Sequence, residues 1–504
     1  MKKSAKSAGH FVRVLASPRF FRATMVVLVL QATWLALSGR YPMAFDEDFH
    51  FGIIRLYAHH LWPFWAHQPA GANMFGAVAR DPSYLYQYVM SLPYRFISLF
   101  THDQTIQVLC LRGIDIALFT LGVVLFRRLL QRTGASAALL NFCCAVFVLI
   151  PVVPLLAAQI NYDDLLLPLI AITLELTMRI VDELRAQRRL NGRRVLLLAI
   201  VCLLTSLVKY AFLPIFLAIM IYLHLEFRQA YAHRQVFIRA ILDSWRALSR
   251  RLRWGLVALL CLSFAMFSER YAINTLRYHT PTPSCNKVLN VQACSAYGPW
   301  IRDYTFAQAN THGPHSPLVF TADWFYGMWL RLFFAVDGPG TEFETRGPLL
   351  IPSLAAIAVA AGSLVVAVRY GRQFLNRRRH PLLFLAMLSA VIYIAALWLV
   401  EYQAFVRTGQ AVAINGRYLL PVLLPILVWL ALAWRQALRT LSSRAWMAGL
   451  ALLCLVWGGG ALTYMLRSSD AWYWPNQTIH DVNYAAQRFL GPVVPGYRSP
   501  DLFL

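Results

Sequence analysis

Apolar residues follow one another along this 504-residue chain in long, nearly uninterrupted runs, and not in the alternating pattern of half-buried strands. A helix needs about 20 such residues to cross the hydrocarbon of a bilayer, and fewer where it ends in a buried loop. Eleven runs qualify, at about 24–40, 106–126, 136–158, 164–181, 195–208, 211–226, 254–272, 347–368, 381–399, 419–434 and 445–466. The fifth and sixth are short and meet at Val208-Lys209-Tyr210. The expected fold is an all-α polytopic membrane protein with about 11 transmembrane helices. Between 41 and 105 the pattern changes. Apolar positions recur at helical spacing over Ile53–Trp65 and again over Pro82–Arg95, which predicts two juxtamembrane helices lying in the interface.

This pattern divides the chain into a basic N-terminus (1–23) and an N-terminal transmembrane module (24–272) that carries the first loop, 41–105. A long loop (273–346), a C-terminal transmembrane module (347–466) and a tail (467–504) follow.

Composition agrees and excludes other classes. The chain is 59% hydrophobic and 14% charged, with 47 Lys+Arg against 23 Asp+Glu and a net charge of +24. Soluble domains carry about 25% charged residues, so an ordinary soluble enzyme is excluded. The basic excess is a matter of topology and lipid contact, and needs no nucleic-acid partner. Segments 1–23, 127–135, 182–194 (with Arg179), 227–253, 369–380 and 435–444 together hold 30 of the 47 basic residues. Basic residues accumulate on the cytoplasmic side, so the N-terminus is expected inside and the long aromatic loops on the outer face of a plasma (inner) membrane. Lys2, Lys3, Lys6, Arg13, Arg19 and Arg22 before the first run read as the flank of an uncleaved signal anchor. Six of the eight cysteines lie in apolar runs. Cys285 and Cys294 lie in the outer loop, where an oxidising compartment allows them to pair.

The candidate chemistry gathers on that outer side. Directly after the first membrane run stands Phe45-Asp46-Glu47-Asp48-Phe49-His50-Phe51-Gly52. Three carboxylates and an imidazole within five residues raise one another's proton affinity, which suits a general base or a metal cage. Asp46, Asp48 and His50 would suit Mn²⁺, Mg²⁺ or Zn²⁺, although no spacing matches a structural zinc site. A second acidic site, Asp163-Asp164, falls where the third run ends and the fourth begins, and there an Asp is also a natural helix cap. Arg407 and the Asn415-Gly416-Arg417-Tyr418 turn precede the tenth run. Free amides, a helix dipole and a guanidinium make such a turn a phosphate site. Lys209 is a further candidate for the same task.

The run Phe45-Asp46-Glu47 with His50-Phe51-Gly52 resembles the Asp-Glu…His-Phe-Gly signature of protein O-mannosyltransferases, apart from the inserted Asp48-Phe49. More broadly the chain resembles GT-C class integral-membrane glycosyltransferases, including the aminoarabinose transferase type. The resemblance implies a polyprenyl-phosphate-linked sugar as donor, a first-loop carboxylate as base, and a glycan, lipid or protein hydroxyl as acceptor. It leaves Asp46 and Asp48 both open as the base, with Glu47 and His50 positioning. Arg417 and Tyr418, with Lys209 and Arg407, would hold the donor phosphate, and Asp163, Asp164 or His50 would meet the acceptor. Many relatives need no metal. The other readings are a transporter or flippase, or a polymerase or ligase, of lipid-linked glycans. Transport requires polar residues along a path through the bilayer. Only Arg112, Asp115 and Glu175 suggest one, and Arg112 and Asp115 are expected to pair one turn apart.

Overall fold

The structure is a computed structural model and describes residues 2–43, 46–188, 190–231, 234–310, 316–333, 350–458 and 473–490. Apart from an isolated bridge between Gly39 and Tyr473, these residues form helices, turns and loops. The first half contains α1 (Lys2–Ala16), α2 (Pro18–Ser38), α3 (Glu47–Ala58), α4 (Leu85–Ser98), α5 (Gln104–Leu130), α6 (Ala137–Leu149) and α7 (Val152–Ala157). It continues with α8 (Tyr162–Gln187), α9 (Gly192–Val208), α10 (Leu213–Ala230), α11 (Arg234–Arg246) and α12 (Arg250–Tyr278). Beyond these come α13 (Cys285–Val288), α14 (Val291–Cys294), α15 (Gly298–Ala309), α16 (Pro317–Phe333), α17 (Leu350–Val366), α18 (Pro381–Thr408), α19 (Leu420–Ala437) and α20 (Leu441–Gly458). A final helix, Gln477–Leu490, lies in the tail.

Within the described residues all eleven apolar runs fall on helices, the eighth from Leu350 and the last through Gly458, with 347–349 and 459–466 outside the described residues. Among the described residues, six helical segments are long and apolar enough to cross a membrane: Pro18–Ser38, Gln104–Thr133, Tyr210–Ala230, Arg250–Tyr278, Pro381–Thr408 and Gly416–Ala437. The physical reasons for the difference are visible. The run 136–158 is not one rod, because Pro151 follows Ile150 in extended backbone and divides α6 from α7. Helix α9 has only 17 residues, and α8, though 26 long, carries acids and arginines along its length.

α5 packs along α8, α9 lies between α8 and α12, and α10 joins the second module through α18. α19 returns against α6, and α1 lies across α6 and α20. At one end of the bundle the basic segments meet acids. Arg132 pairs with Glu175 (2.7 Å) and Asp182 (2.5 Å), Arg185 with Glu226 (2.7 Å), and Arg194 with Glu183 (2.5 Å). Glu175 thus belongs to a surface network, not to a path through the bilayer.

The opposite end is organised by a buried ion pair. Arg112 does not pair with Asp115 as its spacing suggested. Its Nε and Nη2 donate to both oxygens of Glu47 (2.8 and 2.7 Å), and its Nη1 donates to the carbonyls of Ala36 (2.7 Å) and Gly39 (2.8 Å). Glu47 also accepts from the backbone N–H of Met43 (2.7 Å) and Ile160 (3.2 Å). Both side chains are completely buried. One pair therefore ties together the end of α2, the first loop, the start of α3, the middle of α5 and the approach to α8. Asp115 instead accepts from the Tyr86 hydroxyl (2.8 Å).

The two predicted interface helices exist as α3 and α4 and pack on each other. α3 begins at Glu47, so the acidic cluster is its first turn, and it ends at Ala58, before Trp62 and Trp65. Trp65 instead stacks on Tyr57 (4.1 Å between ring centroids). In the late loop Cys285 and Cys294 form a disulfide across α13 and α14. Trp324 is buried and donates its indole N–H to Glu401, while its neighbours Phe325 and Tyr326 are exposed.

Removing one partner of a buried ion pair strands the other charge in a medium that cannot solvate it, at a cost of about 3–5 kcal/mol. Glu47→Gln and Arg112→Leu are expected to abolish the monodisperse peak on size-exclusion chromatography in mild detergent, or to lower the unfolding midpoint sharply. Asp48→Asn, on the same helical turn but exposed, is expected to leave both unchanged.

Candidate active site

Four chain segments far apart in sequence converge above the Arg112–Glu47 pair: the start of α3, the start of α8, the α9–α10 junction and the turn before α19. Each is placed by a local feature. Asp46 occupies the cap position of α3 with φ 69°, a left-handed conformation that non-glycine residues adopt at some cost, and its carboxylate makes no capping bond. That frees the carboxylate to face outward. At α8 the cap is Asn161, whose side chain accepts from the Asp163 N–H (3.0 Å), so neither Asp163 nor Asp164 is spent on capping. The α9–α10 junction leaves Lys209 in extended backbone between two helices. Before α19, Asn415 caps a short turn through the Arg417 N–H (3.0 Å). Residue 416 must be glycine there, since a Cβ would lie 2.6 Å from the Leu332 nitrogen and the Met328 carbonyl.

Two ion pairs stand side by side at the centre. Arg417 Nη2 contacts Asp46 Oδ2 at 2.8 Å. Lys209 Nζ reaches both oxygens of Asp163 at 2.7 and 2.9 Å. Aromatic rings connect the pairs. Lys209 Nζ lies 4.2 Å from the Tyr162 ring centroid and 5.5 Å from that of Tyr418, and the Arg417 guanidinium lies 5.1 Å from the same Tyr418 ring. Arg417, Lys209 and Asp163 are about 95% buried, whereas the Asp46 side chain is 49% exposed. A desolvated pair of cations thus meets solvent at a single carboxylate. Burial pushes the Asp46 carboxyl up, but the Arg417 guanidinium beside it prevails and holds it below the usual range. Asp48, one residue beyond Glu47, is held above its ordinary value by burial and by the neighbouring Asp46 and Glu47 carboxylates.

His50 forms the floor. In the amide orientation that satisfies every neighbour, its Nδ1–H donates to the Gln87 side-chain oxygen (3.0 Å), and the Gln87 nitrogen donates to the carbonyls of Ser83 (2.8 Å) and Tyr84 (3.1 Å). This bond fixes the tautomer and leaves Nε2 as a buried acceptor without a partner. The ring stands edge-on to Tyr162 at 4.5 Å. Burial, with Arg417 and Lys209 in addition, lowers the His50 pKa to about 3 against the opposing pull of Asp46, so the ring is neutral at pH 7.

Asp46, His50, Asp163, Lys209, Arg417 and Tyr418 are therefore brought together, and Asp48 lies exposed on the adjoining turn. Glu47 lies beneath them, committed to Arg112. Asp164 is completely buried beside Asp115, away from the solvent face. Arg407 is exposed on the last turn of α18, where its carbonyl accepts from Asn310 (3.2 Å), and no contact between it and the cluster occurs among the described residues. Asp46, Asp48 and His50 are not gathered as a metal-ligand group among the described residues. Asp46 faces a guanidinium, the His50 Nδ1 proton points to Gln87, and no three His, Cys, Asp or Glu side chains stand close enough to hold a metal ion among the described residues. Tyr162 and Gln87 were not singled out in the sequence, since neither type signals a site without its neighbours. A lysine breaking two apolar helices does carry a signal, because a cation there demands a partner.

No family model matches the chain, and no curated protein does. Among solved structures it is similar to the oligosaccharyltransferase AglB of Archaeoglobus fulgidus. The form in complex with Zn and sulfate is 16% identical with a TM-score of 0.43, over 92% of this chain and 56% of that one. The form tethered to an acceptor peptide is 14% identical with a TM-score of 0.40, over 93% and 59%. The form with an inhibitory peptide and a dolichol-phosphate is 14% identical with a TM-score of 0.42, over 92% and 59%. The chain thus spans under three fifths of the length of these proteins.

His50 supplies a pH test. Its folded pKa of about 3 lies below the ordinary 6.5, so the unfolded chain binds a proton that the folded one refuses. Its contribution to stability is complete above about pH 6.5 and is lost progressively as the pH falls toward 3. Thermal unfolding in detergent between pH 4 and pH 8 is expected to show the midpoint falling on acidification, with a flatter profile for His50→Gln.

Proposed function

We propose that this protein is a membrane glycosyltransferase of GT-C type, moving a sugar from a polyprenyl-phosphate donor to an acceptor hydroxyl at the outer face of the plasma membrane. The observation that carries this reading is the Asp46–Arg417 ion pair beside Lys209–Asp163, at the helix ends opposite the basic loops. Two buried cations in a lipid-facing protein suit a phosphate ester, and a half-exposed carboxylate at their edge suits a proton acceptor. The Asp46-Glu47…His50-Phe51-Gly52 resemblance adds the same assignment. Transport loses its support, since Arg112, Asp115 and Glu175 all have local partners.

In this mechanism the donor phosphate takes over the Arg417 guanidinium, with Lys209 as the second cation. Releasing Asp46 from Arg417 removes what held its carboxyl low, so donor binding itself raises the basicity of the base. Asp46 then accepts the acceptor hydroxyl proton while the hydroxyl oxygen bonds to the anomeric carbon and the bond from that carbon to the phosphate oxygen breaks. The electron pair of that bond leaves on the prenyl phosphate, whose added negative charge Arg417 and Lys209 stabilise, so no general acid is needed. His50 Nε2 offers a fixed acceptor for a hydroxyl of either sugar or acceptor. Glu47 positions Asp46 through the backbone and does not react.

The test is transfer from a radiolabelled polyprenyl-phosphate sugar in proteoliposomes. Asp46→Asn is expected to lower kcat by about 10²–10⁴-fold with the protein still folded. Arg417→Gln and Lys209→Met are expected to raise KM for the donor. Full activity in both Asp46→Asn and Asp48→Asn would refute the first-loop mechanism.

A further inference from the structure

A second feature lies at the other end of the bundle, among the basic segments. A cavity of about 350 Å³, within the range of small-ligand pockets, opens between α1, α6, α17, α19 and α20. Its walls are apolar: Phe11 and Leu15 of α1, Phe142 of α6, Ala431 and Trp434 of α19, and Ala448 of α20. The cavity is built into the fold. Asn141 of α6 donates to the carbonyl of Leu15 (2.7 Å), Arg127 Nε donates to Asn141 (2.8 Å), and the Arg127 guanidinium lies 4.2 Å from the Phe21 ring centroid. These contacts latch the end of α1 to the bundle and hold the space behind it open.

The mouth is cationic. Arg435 and Arg444 line it. Arg444 Nε donates to the Leu438 carbonyl (2.8 Å) and one terminal nitrogen to the Arg435 carbonyl (2.9 Å), closing the end of α19. The Arg435 side chain is exposed and makes no hydrogen bond or ion pair among the described residues. The three segments around the mouth, 1–23, 127–135 and 435–444, contain twelve Lys and Arg residues and no Asp or Glu, and of these Arg132 is answered by Glu175 and Asp182 of α8. Topology alone accounts for basic residues on this side, but not for a walled apolar cavity directly behind them. One ligand satisfies both features, an amphiphile with an apolar chain and an anionic head.

We propose that this cavity binds an anionic phospholipid, with one acyl chain seated between α1, α6, α19 and α20 and the phosphate against Arg435 and Arg444. Arg435 and Arg444 line the cavity and no Asp or Glu does, which is what selects an anionic over a zwitterionic headgroup. The site is independent of the Asp46–Arg417 cluster, so its failure would leave the proposed reaction untouched, and the reverse also holds.

The test uses the purified full-length chain in detergent and native mass spectrometry, with phosphatidylglycerol and phosphatidylcholine of identical acyl chains. Phosphatidylglycerol is expected to bind about tenfold more tightly. Arg435→Glu, at an exposed position, is expected to reduce its binding to the level of phosphatidylcholine. Ala431→Trp fills the cavity and is expected to abolish retention of either lipid, and Ala448→Phe does the same from the opposite wall should the first variant not fold. Equal binding of the two lipids overturns the proposal. So does unchanged phosphatidylglycerol binding in the folded cavity-filling variants, which would assign the lipid to the outer surface of the arginines.

Discussion

The arrangement of this protein depends on the completely buried Arg112–Glu47 pair. Isolated charges in a low-dielectric interior are prohibitively expensive, and this pair persists because every facing group is satisfied. The guanidinium has two carboxylate oxygens and two backbone carbonyls, and the carboxylate has two backbone N–H groups as well. Such a network tolerates little displacement of any member. It therefore fixes how the end of α2, the first turn of α3 and the approach to α8 sit relative to α5. The proposed site is assembled on that rigid floor.

Above the floor the electrostatics reverse. The pair below is closed, with both charges answered by protein. Of the pairs above, Lys209–Asp163 is buried on both sides, whereas Asp46–Arg417 is buried on the cationic side and open at the Asp46 carboxylate. This difference separates a structural ion pair from a reactive one. A charge that solvent or ligand can reach can exchange partners, and Arg417 can exchange a carboxylate for a phosphate without ever being left unpaired. The left-handed backbone at Asp46 belongs to the same arrangement, because it turns the carboxylate away from the helix end that it would otherwise cap.

Much of this was legible in the residues. The acidic first loop, the Asn-Gly-Arg-Tyr turn and Lys209 were all recognisable because charge in an apolar chain is conspicuous. The roles within the first loop were not. Asp46, Glu47 and Asp48 are indistinguishable as a string, yet one ends at the cation cluster, one is sealed beneath it and one remains on the adjoining surface. Successive positions on a helix point about 100° apart, so three neighbours enter three environments. Likewise, the spacing of Arg112 and Asp115 permitted a local pair, but packing brought a carboxylate from 65 positions away into bidentate contact. Asp163 and Asp164 gave a similar lesson, since the cap that either could have provided was taken by Asn161.

The membrane character, the helical class and the two polarised ends were determined by sequence alone, because hydropathy and the placement of Lys and Arg act locally, residue by residue. The tertiary structure decided which charges meet. Ion pairing inside a bundle is settled by the packing of helices whose contacting residues lie tens to hundreds of positions apart. Desolvation then makes each pairing decisive, since a buried charge takes the partner that packing brings within reach.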